Sequence, residues 1–362
     1  MSTAHDSKTT ASELVGEFAS EISGKVILVT GGSPKGLGAL FVEAVAKAEP
    51  SMLILAGRNT TKTSQTADAV KAINANIKTR VLELDLGSLA AVGSAAAVVR
   101  SWDDVPRIDV LVNNAGVMVV DYKASPDGYE SQLATNHLGP FLFTNLIMPK
   151  ILASNTPRIV NVSSDGHRLN PIRWDDYNFQ KGENYNKWHA YGQSKTANML
   201  FTLSLAKKLG GRGLLSYSLH PGVISTNLGG HMDWNESFPS LQAVDRGLGN
   251  KEGWAEFKWK TPDQGAATHV YAAFDPNLKD HNGAYLENSH VADPFVDTVK
   301  PWATSQFEAD RLWKLTEKLI GQEFERLRII LYRATVVVSL RVENPLFTLS
   351  GNTPTQPNPK ST

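Results

Sequence analysis

The chain of 362 residues contains no cysteine. This absence excludes disulfide bonds, a cysteine nucleophile and every metal site that needs a thiolate ligand. Lys plus Arg and Asp plus Glu both number 36, so the formal net charge is zero and no overall field attracts nucleic acid or an anionic membrane. No run of about 20 apolar residues and no internal repeat is present, so we expect no membrane-spanning helix.

The ends of the chain differ in composition from its middle. Residues 1–23 are polar and mixed in charge, without the apolar core of a secretory signal, and predict a loose leader in a soluble, cytoplasmic protein. Residues 24–324 predict one folded domain. Residues 325–362 contain a β-prone run and a tail rich in Pro, Thr and Asn, which indicates an appended strand, an interface element or a poorly ordered extension.

Short apolar runs alternate with helical patterns through the middle of the chain. This alternation predicts an α/β fold of the Rossmann type, a doubly wound parallel sheet whose ligand sites lie at the carboxyl ends of the strands. The predicted strands span residues 25–30, 51–56, 80–84, 109–112, 158–162 and 214–219.

Two long segments interrupt this rhythm, residues 168–189 and residues 227–260. The second predicts a substrate lid, because loops of this length are commonly functional or contain short helices. Its aromatic side chains either line a substrate cleft or pack within the lid, and lining would favour a bulky apolar or aromatic substrate. These side chains are Trp234, Phe238, Trp254, Phe257 and Trp259.

A glycine-rich turn, Thr30-Gly31-Gly32-Ser33-Pro34-Lys35-Gly36-Leu37-Gly38, joins the first strand to the first helix. Glycines at this place allow the helix N-terminus to approach a pyrophosphate. The second strand ends at Arg58, a cation where an acidic residue would bind a ribose hydroxyl. Arg58 and Lys35 therefore favour a 2′-phosphate and NADP(H).

Two further strand ends carry polar or small residues. Asp85, next to Leu86, either accepts a hydrogen bond from an adenine amine or caps a helix. Asn113-Asn114-Ala115-Gly116 permits close packing around a cofactor. Asp165 and His167 have no sensibly spaced third ligand, so no metal site is expected. His137 and His220 are interpreted as structural neighbours of motif residues.

Tyr191 and Lys195 lie one helical turn apart, so the Lys195 ammonium can approach the Tyr191 hydroxyl. A free phenol titrates near pKa ~10, and a close cation with a bound nicotinamide is expected to lower the Tyr191 pKa toward ~7. This pair follows a glycine turn, an Asn-Asn-Ala-Gly stretch and a Ser-Ser pair in a specific order.

With these motifs in that order, residues 24–324 resemble the short-chain dehydrogenases/reductases, particularly the retinol-dehydrogenase-like and WW-domain-oxidoreductase-like branch and similar fungal reductases. Asn136-His137-Leu138-Gly139 and His220-Pro221-Gly222-Val223 fit the same pattern. The glycine turn is one residue longer than the commonest form, and the hydrophobic N-terminal anchor frequent among members that act on retinoids is absent.

The resemblance implies a catalytic tetrad of Asn136, Ser164, Tyr191 and Lys195, with Ser164 preferred over Ser163. In that mechanism Ser164 binds a carbonyl oxygen, Tyr191 donates a proton, Lys195 binds the nicotinamide ribose, and Asn136 holds a water that links Lys195 to solvent. The positions expected to contact NADP(H) are Gly31, Ser33, Lys35, Gly36, Leu37, Gly38, Arg58, Asp85, Leu86, Asn114, Ala115, Gly116, Tyr191, Lys195, Pro221, Gly222, Val223 and Thr226.

The sequence thus predicts an NADP(H)-dependent oxidoreductase that interconverts a carbonyl and an alcohol on a small-molecule substrate, with a role in secondary metabolism implied by the fungal resemblance. A regulatory protein that binds NADP(H) without chemistry is the alternative. The resemblance also implies a homo-oligomer formed through helices near Tyr191.

Overall fold

Within residues 5–250 and 256–324, the part of the chain that this computed structural model describes, eight strands form a single sheet. The strands are β1 Val26–Thr30, β2 Met52–Gly57, β3 Lys78–Glu83, β4 Val110–Asn113, β5 Arg158–Val162, β6 Leu215–His220, β7 Tyr285–Glu287 and β8 His290–Val291. Their order is β3-β2-β1-β4-β5-β6-β7-β8, parallel throughout except for the β7–β8 pair. The order reverses between β1 and β4, which opens a crevice at the carboxyl ends of these strands.

The predicted doubly wound sheet is confirmed, and six strands lie within two residues of their predicted positions. All five residues of β1 and of β5 are buried, because helices cover both faces of the sheet and favour continuous apolar runs. The sequence prediction missed β7 and β8. These strands contain three residues and two residues, too few to form a recognisable apolar run.

Twelve α-helices accompany the sheet in the described residues. They are α1 Ala11–Glu17, α2 Ala19–Ile22, α3 Leu37–Val45, α4 Thr60–Ile73, α5 Leu89–Arg100, α6 Ser131–Leu133, α7 Gly139–Ile151, α8 Lys187–Leu209, α9 Trp234–Gly247, α10 Pro262–Phe274, α11 Pro301–Thr304 and α12 Gln306–Ile320. Ile27 and Val29 share one core cluster with α3 and α10. On the other face, Asn161 of β5 donates a hydrogen bond to Thr202 of α8. None of the helices in this part of the chain is long and apolar enough to cross a membrane.

The segment before β1 is folded, which contradicts the prediction of a loose leader. Thr10 and Glu13 form a reciprocal capping box that starts α1. Leu14, Phe18 and Ile22 recur every fourth residue and are buried in the core cluster that includes α10. Tertiary packing onto α10 therefore gives this short amphipathic patch the stability that it lacks alone.

The chain divides into two units. One compact unit covers Met1–Gly321, and Gln322–Thr362 forms a second unit. Of the second unit, the structure describes residues 322–324. The predicted extension over residues 325–362 and the lid residue Trp254 lie outside the described residues.

Three histidines are enclosed in the core: His137, His167 and His269. Burial disfavours the charged imidazolium, which lowers the pKa of His137 to about 3 and the pKa values of His167 and His269 to about 4. In an unfolded chain each would titrate near ~6.5. Below that pH the unfolded state binds protons that the folded state does not, so these residues favour folding fully only above about pH 6.5.

We expect the free energy of unfolding to decrease by up to about 4 kcal/mol per pH unit between about pH 6 and pH 4, because three neutral imidazoles each contribute ~1.4. Urea unfolding measured at several pH values within this range tests the slope. His269→Leu should reduce the slope by about a third. A variant with the wild-type slope would show that His269 takes no part in acid unfolding.

Candidate active site

A cavity of about 660 Å³ opens at the carboxyl ends of β1, β4, β5 and β6. Most predicted site residues contribute to its wall: Gly31, Ser33, Gly36, Leu37, Arg58, Asn114, Ala115, Gly116, Ser164, Tyr191, Lys195, Pro221, Gly222, Val223 and Thr226. Lys35, Gly38, Asp85, Leu86 and Asn136 lie outside that wall. The fold thus brings together at one cavity motifs that are far apart in the sequence.

The glycine turn packs directly against the end of β4. Gly31 has a φ of +77°, and a Cβ there would lie 2.8 Å from the Ala115 Cα. A Cβ on Gly38 would lie 2.7 Å from the Asn114 amide nitrogen. The Thr30 hydroxyl accepts the N–H groups of both Asn114 and Ala115, at 3.1 and 3.0 Å. A side chain at either glycine would therefore collide with the residues that directly follow β4.

The end of the cavity next to β2 is polar. Ser33, Arg58 and Thr226 line it, and Arg58 is solvent-exposed directly after β2. α3 begins at Leu37, so its free backbone N–H groups lie beside the same region. This combination of a helix N-terminus, hydroxyls and a guanidinium favours phosphate groups.

Asp85 and Leu86 make local contacts instead of lining the cavity. The Asp85 carboxylate accepts the N–H of Gly87 at 2.9 Å. Leu86 is buried, and its carbonyl oxygen would lie 2.2 Å from a Cβ on Gly139. Asp85 thus stabilises a turn: it does not line the cavity, and the residue that caps the following helix α5 is Ser88.

Helix α8 carries Tyr191 and Lys195 into the cavity. Asn186 caps the N-terminus of this helix, because its side chain accepts the N–H groups of Trp188 and His189. The Lys195 Nζ donates to the Val162 carbonyl at 3.0 Å and lies 5.5 Å from the centre of the Tyr191 ring. Both side chains are 5% exposed, so the pair is largely shielded from water.

Burial dominates the titration of this pair. It raises the pKa of Tyr191 well above its usual range, although the hydroxyl of Ser164 bonds to the phenol and opposes the rise. It lowers the pKa of Lys195 to about 8. The expected fall of the Tyr191 pKa toward neutrality, which includes the effect of a bound nicotinamide, stays a prediction.

The two serines after β5 both contribute to the cavity wall but make different contacts. Ser163 is buried, and its hydroxyl donates to the Lys195 backbone carbonyl at 2.8 Å. Ser164 lines the cavity, and its Oγ accepts the N–H of Gly166 at 2.9 Å. A Cβ on Gly166 would lie 2.8 Å from the Tyr191 ring, so the glycine allows Ser164 and Tyr191 to approach each other.

Asn136 lies in a single π-helical turn, Ala134–Leu138, which interrupts the helix between α6 and α7. Such turns frequently occur at functional sites. The Asn136 amide donates to the Val117 carbonyl and the Ser194 hydroxyl, both at 2.9 Å, and its oxygen accepts the Val117 N–H at 2.8 Å. Asn136 therefore fixes the loop after β4 next to α8, behind the cavity wall.

Two polar side chains on the cavity wall had no predicted role at the site, Asp165 and His220. The Asp165 carboxylate lies 3.4 Å from the Ser164 hydroxyl and 3.8 Å from the His220 Nε2. His220 pairs with Glu287 of β7 in the sheet register. In the sequence, Asp165 directly follows the Ser-Ser pair and His220 directly precedes Pro221. These positions beside predicted motifs could have indicated that both residues lie at the site.

The lid forms the apolar wall of the cavity. Trp234, Leu241, Phe257 and Trp259 line it, and the Phe257 ring packs edge-on against both tryptophans at 5.3 and 5.9 Å. The lid aromatics thus line the cavity and also pack on one another, so both alternatives hold for them. Phe238 packs within the lid, with its ring edge-on to that of Phe257, and does not line the cavity.

The two ends of the predicted lid are attached to the glycine turn and to the loop after β6. Asn227 donates a hydrogen bond to the Pro34 carbonyl of the glycine turn at 2.9 Å. At the other end, Trp259 bridges Val223, and the Lys260 N–H donates to the Val223 carbonyl at 2.9 Å. The sequence did not indicate either attachment, because each joins residues of unremarkable composition.

A family model described as short chain dehydrogenase matches residues 25–236. Human retinol dehydrogenase 14 is 38% identical over 67% of this chain and 66% of its own length. Human retinol dehydrogenase 13 is 34% identical over 85% of this chain and 88% of its own. The short-chain dehydrogenase/reductase prx1 of Penicillium rubens is 36% identical over 82% and 85%.

Solved structures with the same fold include a protein from Mycobacterium paratuberculosis, with a TM-score of 0.62 and 30% identity over 84% of this chain and 98% of that one. The NADP complex of Pseudomonas aeruginosa RhlG superimposes with a TM-score of 0.53 at 22% identity, over 74% and 95% of the two chains. The second similarity supports the fold alone.

Gly38→Ala should lower the free energy of unfolding by about 1–3 kcal/mol, because the new Cβ would collide with the backbone of the glycine turn. Gly93→Ala is the matched control. Gly93 lies inside α5, and a Cβ there meets no atom within 4 Å, so that variant should gain about 0.5–1 kcal/mol. Urea unfolding compares the two, and equal effects would contradict the close packing of the turn.

Proposed function

The chain belongs to the short-chain dehydrogenase family, and from this we propose an NADP(H)-dependent oxidoreductase that interconverts a carbonyl and an alcohol on a bulky apolar or aromatic substrate. One observation carries the proposal. Ser164, Tyr191 and Lys195 line the same cavity as the glycine turn and the apolar lid. Chemistry-bearing groups, a phosphate-compatible turn and an apolar wall therefore share one cavity.

The residues present fit a nicotinamide dinucleotide. Gly31 and Gly36 of the glycine turn line the cavity without side chains, so a ligand can approach the backbone there, and the turn precedes the N-terminus of α3. Gly116, Pro221, Gly222 and Val223 would hold the nicotinamide end, near Lys195. When bound, the cofactor would supply or accept a hydride.

Arg58 supports NADP(H) over NAD(H). It is the cation at the end of β2, where an acidic side chain would bind a ribose 2′-hydroxyl. Ser33 lines the same part of the cavity and offers a hydroxyl. Lys35 is not part of the cavity wall, so Arg58 carries most of this preference.

The protein groups would act on the substrate oxygen. Ser164, whose Oγ already accepts the Gly166 N–H, would donate its hydroxyl hydrogen to the carbonyl oxygen. Tyr191 would deliver the proton that completes the alcohol, and the raised pKa favours its protonated form at neutral pH. Lys195, with a pKa of about 8, would remain mostly an ammonium and bind the ribose.

Asn136 would act by position. Both of its N–H donors are used by Val117 and Ser194, so the side chain has no donor left for the predicted water. A Cβ on Gly116 would lie 3.0 Å from the Asn136 oxygen and 3.6 Å from the Lys195 Nζ. Asn136 would therefore hold the Gly116 backbone close to Lys195.

Tyr191→Phe should reduce kcat by about 10²–10⁴-fold, because it removes the proton donor while keeping the ring. NADPH oxidation over ketones, aldehydes and quinones, with retinaldehyde among them, measures the loss and ranks the substrates. The dissociation constant of NADPH should change by less than about twofold.

Tyr122→Phe is the control, because Tyr122 packs on Tyr185 and does not line the cavity. Activity retained in Tyr191→Phe would refute the assignment of the proton donor. Tight NADPH binding by a wild-type protein that reduces no compound would favour the non-catalytic regulatory alternative.

Arg58→Ala should weaken NADPH binding by roughly 10- to 100-fold, because one charge-assisted contact to a phosphate is lost. NADH binding should be unchanged, since that cofactor has no 2′-phosphate. Fluorescence titration with both cofactors makes the comparison. Arg100→Ala, at the exposed end of α5, controls for loss of charge, and equal weakening of both cofactors would refute the preference.

A further inference from the structure

A buried ion pair joins the lid helix to the segment that follows Ser164. The Arg168 guanidinium donates two hydrogen bonds to the Asp245 carboxylate, at 2.7 and 2.6 Å. The Arg168 side chain is 8% exposed and the Asp245 side chain is fully buried. The two hydrogen bonds are parallel and use both carboxylate oxygens, so they fix the relative orientation of the two side chains as well as the distance between them.

The pair continues into a larger polar network. Asn250, which follows α9 and is also buried, donates to the Asp245 carboxylate at 2.6 Å. The Asn250 oxygen in turn accepts a hydrogen bond from the Lys300 ammonium. Asp245 therefore has two partners. Arg168 belongs to the segment after β5, and Asn250 is itself hydrogen-bonded to Lys300, directly before α11.

This network lies next to the apolar wall of the cavity. Leu241 precedes Asp245 by four residues, so both lie on one face of α9. Leu241 is 2% exposed and belongs to a core cluster that contains Leu169, Trp188 and Tyr191. Leu169 directly follows Arg168, so the ion pair connects the two backbones that present this cluster.

Apolar packing alone would not specify the position of α9. Hydrophobic contacts are non-directional, and the lid aromatics could repack after a small shift of the helix. A buried ion pair is a weak source of net stability, since apolar residues of similar volume are often as stable. Its distinctive contribution is one defined position for the backbone on each side.

We propose that the Arg168–Asp245 salt bridge is a specificity-determining clamp that holds Leu241 at a fixed distance from Tyr191 and so sets the width of the substrate cavity. Neither charged residue lines the cavity, so both are positioning residues. The inference rests on the proposed function, in which a bulky apolar substrate lies between the lid and Tyr191.

Asp245→Asn keeps the side-chain shape and removes the charge. For a bulky aromatic ketone, kcat/KM should fall by about tenfold or more, mainly through KM, while a small aliphatic aldehyde changes less than about twofold. The NADPH dissociation constant should stay within about twofold. Equal losses for the two substrates would overturn the clamp.

A second variant separates position from stability. Arg168→Met combined with Asp245→Leu removes both charges, so no unpaired ion is buried and the protein should remain folded. We expect this double variant to show the same selective loss for the bulky ketone. Wild-type selectivity in the folded double variant would overturn the proposal.

Backbone amide exchange tests the clamp without any turnover. Exchange across α9 should become at least about tenfold faster in Asp245→Asn, because the helix loses its fixed attachment. Asp104→Asn is the matched control, since Arg80 and Asp104 also form a two-contact pair but at an exposed site. Unchanged exchange in α9 overturns the clamp, whereas absent turnover with faster exchange counts only against the proposed function.

Discussion

The structure of the site depends on the attachment of α8 to the end of β5. The Val162 carbonyl accepts hydrogen bonds from the Lys195 ammonium at 3.0 Å and from the Asn198 amide at 3.1 Å. In the reverse direction, the Ser163 hydroxyl donates to the Lys195 carbonyl at 2.8 Å. These contacts pair the polar groups at the end of β5 with groups of α8, which fixes the position of α8 on the sheet. Tyr191 is one turn earlier on the same helix, so it lies beside Ser164.

That attachment also explains the unusual electrostatics. A buried ammonium with a carbonyl partner loses part of its hydration, and the adjacent buried phenol resists ionisation. Polar groups in such surroundings interact strongly with a partner that replaces water, because the local dielectric constant is low. β5 and the strands beside it are buried on both faces, so the favourable free energy of their packing offsets the unfavourable burial of these polar groups. The stability of the core therefore maintains donors and acceptors in positions that water would otherwise disrupt.

The sequence was informative wherever local pattern determines structure. Buried parallel strands produce continuous apolar runs, and glycine is required where backbones approach closely, so six strands could be predicted and most of the predicted site residues line one cavity. The folded segment before β1 could not, because its stability comes from α10, far along the chain. The π-helical turn at Asn136 has no compositional signature. Arg168 and Asp245 are 77 residues apart, and nothing in their local surroundings indicates that they meet.

The division between sheet and lid has a consequence for how such a protein changes over generations. Ser164 directly follows β5, and Tyr191 and Lys195 belong to α8, whereas Trp234 and Leu241 belong to α9, a helix that is not packed on a strand of the sheet. Substitutions on α9 can reshape the cavity without changing a strand, although Leu241 packs in one cluster with Trp188 and Tyr191 of α8. Natural variation can therefore change the shape of the cavity at one helix while Ser164, Tyr191 and Lys195 keep their positions after β5 and on α8, and protein engineering could begin at the same helix.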